Sequence, residues 1–178
     1  MKQYLIKIKD KLQAFFALPF FRDFRTILVL WIILAIVDSV LKYQKSDNNF
    51  LIYRYVFWHA VEQLPLYIHY PLEFDDLNHY GPVFAYVIAP FAVMPHFLGL
   101  LFWNISLALF LYVAIRRFPF TRYQQLFIMW FCTHDLLLCM MMQQFNIAVA
   151  AIIVIAFCLI ESERDFTAAF FIMLGTFV

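Results

Sequence analysis

The sequence predicts an all-α, polytopic integral membrane protein. Three observations lead there: the composition, a series of apolar runs, and basic charge gathered at their ends. Hydrophobic residues make up 65% of the 178 residues and charged residues 14%, against roughly 45–50% and about 25% in a soluble domain. There are 23 Phe, 10 Tyr, 4 Trp and 3 Gly. No soluble fold of this size has the interior to hide so much apolar surface. The composition excludes a soluble globular domain, a disordered chain and a disulfide-rich secreted module, and it makes the bilayer the solvent.

The whole chain, 1–178, reads as one membrane domain. Residues 1–25 form a cytoplasmic amphipathic segment. Between 3 and 17, Leu5, Ile8, Leu12, Phe15 and Phe16 share a helical face, with Lys7 and Asp10 opposite and Lys9 at the edge. No small-x-small cleavage site follows, so this is an interfacial anchor rather than a signal peptide. Residues 26–41 are the first span, short at 16 residues and helped at its ends by snorkelling Arg25 and Lys42. Residues 42–96 form an extracytoplasmic loop. Within it 84–94 is apolar, but its 11 residues, with Pro90 inside, would rise only about 16 Å. It is expected to lie on the surface or to re-enter the outer leaflet.

Residues 97–115 are the cleanest span, 19 residues without a charge. Two more follow at 126–142 and 145–160, and 166–178 begins a fifth. The last 13 residues carry no charge and would rise only about 20 Å, too little to cross a bilayer core. The sequence therefore reads as the N-terminal part of a longer protein.

Net charge is +1, but the charges are segregated. Lys2, Lys7, Lys9, Lys11, Arg22 and Arg25 crowd the N-terminus, and Arg116, Arg117 and Arg122 form a second basic cluster. Placing both clusters in the cytoplasm satisfies the positive-inside rule and puts residues 43–81 outside. The long apolar runs exclude a nucleic-acid binder. Cys132, Cys139 and Cys158 lie in apolar runs and read as small buried hydrophobes.

Within the outer loop, residues 47–80 hold five acids, three histidines (His59, His69 and His79) and five tyrosines, more than a connector needs. Residues 49–66 can form a helix with Asp47 or Asn49 as its N-cap. Acids beside a membrane suit a metal site, general-base catalysis or a solvated face. Gln144 and Asn146 sit where two spans meet the outer face, able to bind a phosphate or sugar hydroxyl, or to bond between helices. Arg54 could meet a phosphate or an acid. Asp38, His134 and Asp135 are ionisable residues inside apolar runs. No Gly-rich phosphate loop, nucleophile elbow or zinc spacing occurs.

The runs NNFLIYRYVFWHAVEQLPLY (Asn48 to Tyr67), HYGPVFAYVIAPFAVMP (His79 to Pro95), GLLFWNISLAL (Gly99 to Leu109) and QQFNIAVAA (Gln143 to Ala151) resemble, in order, four segments of glycosyltransferase family 87. The resemblance covers about residue 24 to the chain end. It implies the N-terminal half of a GT-C type membrane fold and a hexosyltransferase that takes a mannose-like sugar from a polyprenyl phosphate donor. The acceptor would be a lipid or glycan on the outer side of the membrane, and the setting a bacterial inner (plasma) membrane. Beyond donor, acceptor and membrane lipids no partner is implied, and no cofactor, metal or nucleic acid.

In that superfamily an acid of the first outer loop acts as base. By spacing, the family's usual Asp falls here on Asn49, an amide that cannot take the proton. Either Asp47 supplies the carboxylate, or Asp76 or Asp75 does, or this chain works differently, and Tyr53, Arg54, His79, Tyr80, Gln144 and Asn146 are the expected substrate-binding residues. Two other readings compete. A transporter or flippase fragment would use Asp38 and Asp135 as coupling residues, at mid-membrane. A non-catalytic scaffold would use Trp58, His59 and the loop tyrosines as a protein-binding face.

With the three native cysteines replaced, a single cysteine at position 120 is expected to label only from the cytoplasmic side. Labelling from outside would make 84–94 a full span.

Overall fold

A computed structural model describes residues 2–177, apart from the side chains at positions 2, 3, 5, 9, 10, 12 and 13. The regular elements are α1 (Lys2–Phe16), α2 (Pro19–Arg22), α3 (Phe24–Lys42), α4 (Asn48–Val61), α5 (Phe84–Ala92), α6 (His96–Arg117), α7 (Arg122–Met141), α8 (Asn146–Glu161) and α9 (Asp165–Phe177). No strand occurs among the described residues. Leu5, Lys9, Asp10 and Leu12, half of the expected amphipathic pattern, lie outside the described side chains. Ile8, Phe15 and Phe16 are exposed.

The helix limits follow local chemistry. Asp23 caps α3 by accepting the Arg25 amide at 2.9 Å. Thr121 and Gln124 form a reciprocal capping box, which starts α7 at Arg122, four residues before the apolar run begins. Arg116 and Arg117 close α6, where cations suit the helix dipole. Three helices end in left-handed residues that are not glycine: Gln63, Gln143 and Glu163, with φ of 58°, 51° and 57°. In each case the next amide reaches back to a carbonyl of the last turn, Leu64 to His59, Gln144 to Cys139 and Arg164 to Leu159, at 2.8–2.9 Å. For the first of them this stops α4 at Val61, short of the Leu66 limit read from the sequence.

Helix α6 is the hub and packs on α3, α5, α7 and α8. Aromatic pairs fix the directions. Tyr43, after α3, meets His96 and Phe97 at the start of α6, while Arg116 near the end of α6 lies over Phe24 at the start of α3. The two helices are antiparallel. Helix α7 runs alongside α3, with the Trp31 indole donating to Thr133 at 2.9 Å and the Trp130 indole to the Phe21 carbonyl at 3.2 Å. The core is aromatic and small by turns: Trp31, Ala35, Trp103, Ala108, Met129 and Ala151 are buried. Alanine at such seams lets helices approach closely. Between α3 and α6, Asn104 donates to Asp38 at 3.1 Å and to Ser39 at 3.0 Å.

Two helices, α3 and α6, are long and apolar enough to cross a membrane. Both present bare apolar faces, such as Val29, Ile33 and Val40 on α3. Similar faces occur on α7 (Phe127, Phe131), α8 (Ile153, Phe157) and α9 (Phe170, Met173). Helix α5 has nine residues, a rise of about 14 Å, and Pro90 sits in its last turn.

The corner from α5 to α6 is tight. A Cβ on Gly99 would meet the Phe91 carbonyl oxygen, with the Phe50 ring 3.2 Å away. Backbone cannot yield as a flexible side chain does, so Gly99→Ala is expected to destabilise by about 1–3 kcal/mol. Thermal unfolding of the purified chain in detergent reads this as a lowered midpoint, and an unchanged midpoint would mean the corner is loose.

Candidate functional site

The expected site residues meet at the end of the bundle where α3 finishes, α6 starts and α7 turns into α8. The start of helix α4 packs against this end. An α-helix leaves its first N–H groups without partners, and α4 finds one far along the chain. The Phe50 amide donates to the Gln143 side-chain oxygen at 3.2 Å. The Asn49 amide nitrogen donates to the Met142 carbonyl at 2.7 Å, and the Tyr53 hydroxyl donates to the Gln143 carbonyl at 2.5 Å. The α7–α8 turn thus caps and clasps α4.

Asp47 occupies the N-cap position of α4 without capping it. Its carboxylate accepts from the Gln44 amide at 3.1 Å and lies 2.6 Å from His96 Nε2. No hydrogen bond of good geometry reaches that nitrogen, and the contact is an ion pair only where the imidazole carries a proton. Asp47 is 5% exposed. Asn49, the other cap candidate, lies inside α4 and bonds across to α7's end.

Asn48 makes a two-way link with Asp75, donating to its carbonyl at 2.6 Å and accepting its amide at 2.8 Å. This holds the acidic turn against the start of α4. Both Asp75 and Asp76 are exposed. Asp76 has φ of 79° and accepts the Leu77 amide through Oδ1 at 2.8 Å.

Tyr53 and Tyr80 meet hydroxyl to hydroxyl at 3.0 Å, and Tyr80 stacks on Phe84. Burial, and then the neighbouring Tyr80, push the Tyr53 phenol far above its ordinary range, so it stays a neutral donor. Asn78, buried, brackets Tyr80 by donating to its carbonyl and accepting its amide, at 3.0 and 2.9 Å.

Other expected residues have different partners. Arg54 donates to the Ala92 and Met94 carbonyls at 3.1 and 3.3 Å, which caps the end of α5. Its partial burial lowers its pKa, but a guanidinium stays charged. His79 is exposed. Gln144 and Asn146 bond to each other at 3.0 Å, on the same turn as the clasp. His59 pairs with Glu73 at 2.7 Å and packs on the Tyr70 ring, 4.0 Å between centroids, holding the acidic segment to α4. Among the described residues no three His, Cys, Asp or Glu side chains converge as for a metal.

Asn48, Asn78, His96 and Gln143 were not singled out from the sequence. Gln143 is the most connected of them and is 2% exposed, with its side-chain nitrogen unpartnered. Its neighbour Gln144 drew attention instead, because only the fold shows which of the two points inward.

The left-handed turns give a matched test. Glu163→Gly should stabilise by up to about 1 kcal/mol, by relieving a strained backbone. Gln143→Gly should destabilise despite the same relief, since an unsatisfied buried N–H costs about 1–3 kcal/mol. Unfolding midpoints that move in the same direction would show that the Gln143 side chain is idle.

Against known proteins, no curated protein matches the chain and no solved structure does. Residues 78–178 match glycosyltransferase family 87. The acids of the first loop precede that stretch. It contains the Tyr80 bracket, the α5–α6 corner and the whole α7–α8 turn, and it is more than half of the sequence. On that match the chain belongs to glycosyltransferase family 87.

Proposed function

We infer that this glycosyltransferase takes its sugar, mannose or a close relative, from a polyprenyl phosphate, and acts at the outer face of a membrane that α3, α6, α7 and α8 cross. The observation that carries this reading is the polarity of the bundle. Asp47, Asp75, Asp76 and the tyrosine pair gather at one end, while Arg116 and Arg122 flank Phe24 at the other. Cationic residues stay on the cytoplasmic side, which leaves the acids outside. The bare apolar faces on α7, α8 and α9 suit contact with lipid.

An apolar crevice of about 190 Å³, bordered by Phe91, Trp103, Phe110 and Leu174, opens beside the site. An isoprenoid chain has the chemistry to lie there. The base would deprotonate the acceptor hydroxyl as its oxygen bonds to the anomeric carbon, and the sugar–phosphate bond breaks to release polyprenyl phosphate. Asp76 suits this role best. It is exposed and engaged through one oxygen only, whereas Asp47 is buried against His96. Asp38 is held by Asn104, which speaks against a coupling role in transport.

Asp76→Asn is expected to lower single-turnover sugar transfer by about 10²–10⁴-fold, with donor binding changed little. Asp47→Asn should act mainly on stability, and Asn49→Asp should be tolerated. If Asp47, Asp75 and Asp76 can each be replaced by Asn with near-normal rates in folded protein, the loop-acid mechanism is wrong.

A further inference from the structure

The opposite end of the bundle holds a second feature that sugar transfer does not use. A pocket of about 490 Å³ opens between α2 and α7, walled by Phe16, Phe21, Phe127, Trp130 and Phe131, with Arg22 and Tyr123 at its rim. Three arginines lie near this end of the bundle, and Arg116 donates to the Gln125 side-chain oxygen at 3.2 Å. Arg116 and Arg122 lie over the Phe24 ring at 3.8 and 5.2 Å. Arg122 also donates to the Arg22 carbonyl at 3.0 Å, and Arg22 faces the Tyr123 ring at 5.8 Å.

Among the described residues none of the three pairs with a carboxylate, since the ion pairs there all involve histidine. Asp23, the nearest acid in sequence, is spent on capping α3. Gathered guanidinium groups repel one another unless an anion joins them, and guanidinium is shaped to receive phosphate. The neighbouring aromatic pocket is too apolar for the anion and well suited to an acyl chain.

We propose that this site binds an anionic phospholipid of the cytoplasmic leaflet, with the phosphate on Arg22, Arg116 and Arg122 and one acyl chain in the pocket. Basic pockets between helices on this side of a membrane are the usual seat of anionic headgroups. The proposal rests on the orientation set by charge and is independent of the sugar chemistry.

The test is native mass spectrometry of the whole chain released from nanodiscs of equal phosphatidylglycerol and phosphatidylcholine. The retained lipid should be phosphatidylglycerol. Each arginine removed should weaken that preference about fivefold, so R22Q/R122Q should lose about 25-fold. Arg117 borders a different crevice, with Cys158 and Arg164, so R117Q should leave the preference intact. Equal retention of the two lipids by the unaltered chain would overturn the proposal without recourse to any variant. So would an equal loss in R117Q, which would indicate a diffuse basic surface. Displacement by millimolar glycerol 3-phosphate would also overturn it, because a headgroup alone would then fill the site.

Discussion

The clasp between the start of α4 and the α7–α8 turn sets the rest of the structure. A helix has donors at its first turn that must be met, and a buried one cannot rely on water. Here one of them, the Phe50 amide, is met by the Gln143 side chain rather than by a local cap, and the Asn49 side chain ties to the Met142 carbonyl. This frees Asp47 to turn toward His96. It also fixes Tyr53 under Tyr80, and through Asn48 it fixes the acidic turn. Asn49 shows the economy of the arrangement: at the position where a base is expected, the chain carries an amide and uses it to hold the site together.

Much of the helical framework was legible because bilayer solvation writes long apolar runs into a sequence. Residues 97–115 announced α6 to within two residues at either end, and the 26–41 run announced α3 equally closely. Polar starts were harder. The first four residues of α7 contain none of the apolar periodicity that marks a span, and only the Thr121–Gln124 capping box reveals them. The stop of α4 was missed for the opposite reason. Its signal is a left-handed glutamine, where the usual marker is glycine.

The site was legible as a set of residue types and not as a set of contacts. Tyr53 and Tyr80 were both read as substrate-binding residues, and the contact between their hydroxyls is visible only in the fold. Arg54 was read as meeting a phosphate or an acid, and in the fold it donates to carbonyls at the end of α5. Nothing local distinguishes these cases, because an arginine on an exposed helix has the same neighbours in sequence whether it binds a phosphate or a carbonyl. Gln143 escaped notice because its importance comes from a partner 93 positions away.

That separation has a consequence in time. A chain made at roughly 5–20 residues per second exposes Phe50 and Asn49 several seconds before Gln143 exists. During that interval α4 has no partner for its first turn, and the acidic segment tied to it has no fixed seat. The framework of α3 and α6 can be in place while the acidic end is still unformed. The acidic end is therefore a late part of this fold to form, and it is seated when the hairpin of α7 and α8 closes on a helix made long before it.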